Sequence, residues 1–69
     1  MSRWFESARI AWIYEMLNIY GFINREHVMK KFGVSKPQAS KDLMHCLRHS
    51  SGSVVYNVSA KRYESKASR

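Results

Sequence analysis

Four polar side chains crowd one short stretch of the chain: Lys36, Gln38, Ser40 and Lys41. Each can address the edge of a base. Glutamine can bond adenine bidentately, and lysine reaches guanine O6 and N7. With Pro37 among them, they are the candidates for base contact: Lys36, Pro37, Gln38, Ser40 and Lys41. A second set suits the phosphate backbone: Arg25, Ser35, Arg48, Lys61 and Arg62. The first set would specify and the second would position. Ser35 and the amides behind it could hold a phosphate at a helix N-terminus, and Lys61 and Arg62 could reach backbone or minor groove. Each assignment has a plainer counterpart. Gln38 could serve only as the capping partner of Ser35, and Lys41, Lys61 and Arg62 could be solvated charges. Asp42, acidic on a basic face, is expected to bond within the protein, to Arg25 or the neighbouring turn.

Other residues invite bond-making chemistry and do not sustain it. His27, His45 and His49 suggest a metal, and His45 and His49 stand at i, i+4 on one helix, a spacing that can hold one, but no acidic cluster joins them and Asp42 stands only i, i+3 from His45. Cys46 follows His45 directly and points about 100° away from it. It reads as a small core hydrophobe, and no metal site is expected. Acyl transfer needs a nucleophile, a base and an orienting carboxylate, which five scattered acidic residues do not supply. Neither an enzyme nor a cofactor is expected. The four methionines read as core filler.

Composition agrees with a binding role. Sixty-nine residues make one domain at most. A hydrophobic share of 45% and an aromatic share of 13% argue for a folded chain. Twelve Lys and Arg against five Asp and Glu give a net charge of +7, which suits a polyanion: nucleic acid first, an anionic membrane surface second. One cysteine allows no intrachain disulfide and fits a reducing compartment. No apolar run approaches about 18 residues, and Met1-Ser2-Arg3 does not open a signal peptide. A cytoplasmic, nucleoid-associated protein is expected.

The elements that must position these side chains follow from periodicity and caps. Residues 3–20 predict a first helix, with Phe5, Ala8, Trp12, Ile13, Met16, Ile19 and Tyr20 on one face and Gly21 at its end. Its apolar surface is wider than one small core requires. Trp4, Ile10, Tyr14 and Leu17 are therefore either incidental or a dimer contact. Residues 25–32 predict a second helix with Asn24 as N-cap, Val28 and Phe32 facing inward, Ile23 as a staple and Gly33 as the stop. Residues 36 to about 49 predict a third. Ser35 is its N-cap, Gln38 completes a capping box, and Pro37 sits in the first turn. Ala39, Leu43, Cys46 and Leu47 face inward; Pro37, Lys41, Met44, His45 and Arg48 face outward. Residues 53–64 predict a β-hairpin broken at Asn57-Val58-Ser59-Ala60, which must pack on the helices. The fold class is mainly α with a small β-hairpin: a winged helix-turn-helix of three helices and a two-stranded wing. The domain spans 3–64, and 65–69 form a basic tail expected to fray.

The run Phe32-Gly33-Val34-Ser35-Lys36-Pro37-Gln38-Ala39-Ser40-Lys41-Asp42-Leu43 resembles the N-terminal winged helix-turn-helix of WYL-domain transcriptional regulators. It is more distantly similar to DeoR-type regulators, whose recognition helix also ends in a basic residue followed by Asp-Leu. The wing Val55-Tyr56-Asn57-Val58-Ser59-Ala60-Lys61-Arg62-Tyr63, the aromatic first helix and Ile23-Asn24-Arg25 support the closer match. The resemblance covers roughly residues 4–64. It implies sequence-specific double-stranded DNA binding, usually by a homodimer and usually as a repressor. These 69 residues leave no room for a WYL or other effector domain, so ligand sensing is not carried over and no small-molecule effector site is read. The chain is expected to be either a domain of a longer regulator or a small stand-alone one of the kind a phage or mobile element encodes. The alternative is a protein-interaction winged helix that works through its aromatic first helix. The alignment of Lys36, Lys41 and Arg48 beside Lys61 and Arg62 favours DNA.

Overall fold

A computed structural model describes residues 3–66. In chain order it has helix α1 (Arg3–Tyr20), strand β1 (Phe22–Ile23), helices α2 (Arg25–Phe32) and α3 (Lys36–Arg48), and strands β2 (Val54–Asn57) and β3 (Arg62–Ser65). This is the winged helix-turn-helix expected, mainly α with an antiparallel hairpin. The sheet has one strand more than the sequence reading foresaw. Its order is β1-β3-β2, and Phe22 and Ile23 pair with Glu64 and Tyr63 of β3. Two residues are too few to show a period of two, so β1 reads in sequence only as the approach to α2.

The helix ends follow local chemistry. Gly21 takes φ 87° and its N–H donates to Leu17 O at 2.9 Å, closing α1. At α2, the Asn24 side chain accepts from His27 N–H at 3.1 Å, while Asn24 N–H donates to His27 Nδ1 at 3.2 Å. That reciprocal box rests on a histidine where glutamate or glutamine is usual. At α3, Ser35 Oγ accepts from Gln38 N–H at 3.3 Å. The reciprocal half expected of Gln38 is not made, because its side chain turns to Asp42 instead, at 3.0 Å.

The core is Ile13, Leu17, Ile23, Val28, Ala39, Leu43, Cys46 and Val54, all buried. Ala39 supplies the small residue where helices cross closely. The inward face expected of α3 is observed, with Leu47 only partly buried. The face expected of α1 is observed in part: Ile13 is buried and Trp12 and Met16 pack against the core, but Phe5, Ile19 and Tyr20 are exposed, and the buried side extends instead to Ile10, Tyr14 and Leu17. Ile10, Ile13, Tyr14 and Leu17 stand at i, i+3, i+4 and i+7, a helical stripe in their own right. On a helix apolar nearly all round, the tertiary partner selects the stripe. Here that partner is α3, reached also by Tyr14 Oη, which donates to Cys46 O at 3.4 Å.

The wing turn is held by Asn57, whose Oδ1 accepts from Ala60 N–H at 2.9 Å, and Lys61 closes it with φ 55°. The tail is expected to fray from Ser65, but Ser65 and Lys66 are held. Ser65 ends β3 and its N–H donates to Gly21 O at 2.9 Å, while Lys66 N–H donates to Ser53 O at 2.7 Å. Backbone bonds to two other segments hold these residues down; positions 67–69 of the expected tail lie outside the described residues.

Candidate nucleic-acid interface

The exposed side of α3 carries Lys36, Pro37, Lys41, Met44, His45 and Arg48. Pro37, Lys41, Met44, His45 and Arg48 share one helix face by their spacing (37, 41, 44, 45, 48), and Lys36 stands exposed beside it at the helix start. Capping at Ser35 and a proline in the first turn leave the N-terminal end of this face open. Ser40 and Gln38 flank it, half-buried.

Between α3 and the wing lies a cleft of about 360 Å³. Arg25 of α2, Ser40 of α3 and Lys61 of the wing turn all line it, with Tyr56 and Tyr63 at its wall. Arg25 Nη1 donates to Ser40 Oγ at 3.4 Å, tying the start of α2 to α3. The two tyrosine rings lie 4.8 Å apart. Burial pushes the Tyr63 hydroxyl pKa up, with Tyr56 adding to the rise and the Arg25 charge opposing it. The fold thus gathers residues 25, 40 and 61, distant in sequence, into one polar cleft beside the cationic face of α3.

Not every candidate sits where the sequence reading had it. Arg62 is drawn onto the sheet: its Nε donates to Glu64 Oε2 at 2.7 Å and its guanidinium lies 4.4 Å from the Phe22 ring centre. The bonds from Arg62 and Asn57 hold the Glu64 carboxyl below the usual carboxylate range. Arg62's charge is therefore largely matched within the wing, and Lys61, exposed at the turn, is the better placed cation. Asp42 does bond within the protein, but to Arg9, not Arg25. Arg9 Nε meets Asp42 Oδ2 at 2.6 Å and Arg9 Nη2 meets Oδ1 at 3.4 Å. Asp42 is 2% exposed and the one buried charge among the described residues. The sequence does not single out Arg9, because α1 is apolar nearly all round and its wheel does not show which side meets α3. Its i, i+4 relation to Ile13 is the signal that would have turned it toward α3.

The dimer candidates also divide. Leu17, at 3% exposure, is core, and Ile10 and Tyr14 pack against the core. Trp4 stands out at 69% exposure, with Phe5 edge-on to it at 4.9 Å.

Among the described residues no group of three or more His, Cys, Asp and Glu could hold a metal. The His45 and His49 rings lie 4.3 Å apart without a third ligand. Burial pushes the Cys46 thiol up to about 11, which keeps it protonated and unreactive at neutral pH. Among the described residues, no helix is long and apolar enough to cross a membrane.

Comparison with known families agrees with this geometry. A family model described as the BrxR transcriptional regulator winged helix-turn-helix domain matches residues 6–68. No curated protein matches the chain. The match covers nearly the whole sequence, so the chain belongs to the BrxR-type winged helix-turn-helix family of transcriptional regulators. The likeness to the N-terminal domain of WYL-type regulators is consistent with it. Membership makes this a DNA-binding domain of a transcriptional regulator, a non-enzymatic family.

Proposed function

We propose that this chain binds double-stranded DNA sequence-specifically and acts in the cytoplasm as a repressor. The N-terminal half of α3 enters the major groove, where Lys36, Pro37, Gln38, Ser40 and Lys41 meet base edges. Arg25, Ser35, Arg48 and Lys61 hold phosphates on either side. The observation that carries this reading is the cleft in which Arg25, Ser40 and Lys61 converge beside the exposed cations of α3. A groove-reading helix needs backbone anchors on both flanks; Arg25 of α2 and Lys61 of the wing turn offer them, with Ser40 of α3 between. The chain acts as a homodimer on an inverted repeat. With Leu17 in the core, the exposed Trp4 and Phe5 at the start of α1 are the contact this reading now favours.

The test is binding to duplex DNA across a salt series, using random sequence and sequence selected by the protein. About five phosphate contacts give a log–log slope near −4 to −5. Selected DNA bound roughly a thousandfold or more tighter than random, with Lys41→Ala losing much of that margin, supports the reading. A steep slope with no preference would make the chain a general DNA binder. No binding at low salt would favour a protein-interaction role for the aromatic α1. Sedimentation of Trp4→Ala/Phe5→Ala tests the dimer: an unchanged mass would refute that contact.

A further inference from the structure

Asp42 joins two residues with different jobs. On one side the Arg9 guanidinium grips it by a fork, at 2.6 and 3.4 Å. On the other, Gln38 Nε2 donates to Asp42 Oδ1 at 3.0 Å. Gln38 lies on the flank of the exposed face of α3, half-buried, while Asp42 beneath it is buried. A carboxylate only accepts hydrogen bonds. The Gln38 amide must therefore turn its nitrogen inward, which sends its oxygen the other way.

From this we infer that the Arg9–Asp42 pair sets which atom Gln38 shows to DNA, and so which base it reads. The inference rests on the sequence-specific reading proposed above. With Nε2 held inward, Gln38 offers Oε1, an acceptor, and keeps one N–H beside it. In the major groove the donors are adenine N6 and cytosine N4; guanine O6 and thymine O4 accept. Gln38 therefore selects adenine, whose N6 and N7 match an oxygen beside an N–H, or cytosine by N6's counterpart alone. It disfavours guanine and thymine. Arg9 never touches DNA in this scheme. It is a positioning residue: it holds Oδ2 firmly and meets Oδ1 only at 3.4 Å, which fixes the carboxylate and leaves Oδ1 to accept from Gln38 as well.

The experiment is selection from randomised duplexes with wild type, Gln38→Ala and Asp42→Asn. Far-UV circular dichroism checks that each variant is folded. Gln38→Ala should erase the preference at one position of the selected motif, and the wild type should prefer adenine or cytosine there by roughly 5- to 150-fold. In Asp42→Asn the new carboxamide gives its oxygen to Arg9 and its nitrogen to Gln38. The glutamine amide then turns over, and the preference at that same position should move to guanine or thymine. A merely structural role for Asp42 would weaken binding without changing base identity.

A guanine or thymine preference in the wild type at the Gln38-dependent position would overturn the inference. An unchanged preference in folded Asp42→Asn would overturn it too, as would a motif with no Gln38-dependent position. If Asp42→Asn fails to fold, the wild type and Gln38→Ala still decide by the base preferred. A wild type that selects no motif refutes the parent reading, and the relay with it.

Discussion

Removing Arg9 should strongly destabilise this domain. Its partner Asp42 is 2% exposed, and Arg9 itself keeps only 15% of its side-chain surface in water. Arg9→Ala leaves a buried carboxylate facing no cation, and breaking a buried pair from one side costs about 3–5 kcal/mol. A chain of this length has only about 3–10 kcal/mol in all. The variant is thus expected to lose at least about a third of that stability, with its urea midpoint lowered in proportion. Arg9→Met combined with Asp42→Leu removes both charges and keeps apolar volume. It should recover to within about 1 kcal/mol of wild type or exceed it, since replacing a buried pair by hydrophobes is often neutral or stabilising. Gln38 loses its partner in that variant but is half-exposed, so water replaces the bond. Urea denaturation followed by circular dichroism, with m-values compared, is the assay. A loss below about 1 kcal/mol in Arg9→Ala, the scale of an exposed ion pair, would refute the reasoning. It would mean that water reaches Asp42 and that the pair does not anchor α3.

Other outcomes follow from the same geometry. Gly33 closes α2 at φ 66° with open space where a Cβ would stand, so Gly33→Ala pays only for the left-handed backbone. That is about 1–2 kcal/mol, or a Tm lower by roughly 4–16 °C, and Gly33→Asn should lose less. The raised Cys46 pKa, about 11 against an ordinary 9.0, favours the fold while the thiol is protonated. That contribution, on the order of 2 kcal/mol, is whole below pH 9 and lost as pH rises toward 11. Tyr14 and Tyr63, whose pKa values are also raised, extend the decline. Cys46→Ala should flatten the stability curve between pH 9 and 10; an identical slope in both proteins would contradict the assignment. Lys61→Ala should reduce the salt slope of DNA binding by about 0.9 and leave base preference intact. Lys41→Ala should lower the margin for selected over random DNA by roughly 5- to 150-fold, read by competition binding.

Much of this architecture is legible in the residues because its signals are local. Asn24, Gly33 and Ser35 act within one turn of themselves, and their caps form where cap chemistry puts them. The third helix is amphipathic, so its inner and outer faces separate cleanly. The first helix is apolar nearly all round, so no wheel can tell whether Phe5, Ile19 and Tyr20 or Ile10, Tyr14 and Leu17 join Ile13 on the buried side. Packing against α3 chooses, and the interface follows: Ile10, Tyr14 and Leu17 are spare only on a helix seen without its partner. Strand β1 is two residues long and exists only because β3 pairs with it. Arg62 reads as a free cation until Glu64, two residues on, is found on the same side of the wing.

The Arg9–Asp42 contact shows why the remainder is tertiary. Apolar burial through Ala39, Leu43 and Cys46 holds α3 against the core, but it is non-directional. Small side chains leave the helix some freedom to roll about its axis. A hydrogen-bonded ion pair lacks that freedom, since its geometry fails within a few tenths of an ångström or a few tens of degrees. The contact spans 33 positions and links the middle of α1 to the face of α3 beside the recognition residues. A roll of α3 that displaced Lys36 and Lys41 would also pull Asp42 off Arg9, leaving a buried charge unpaired. The penalty for misplacing the recognition face is therefore set inside the domain, before any DNA arrives.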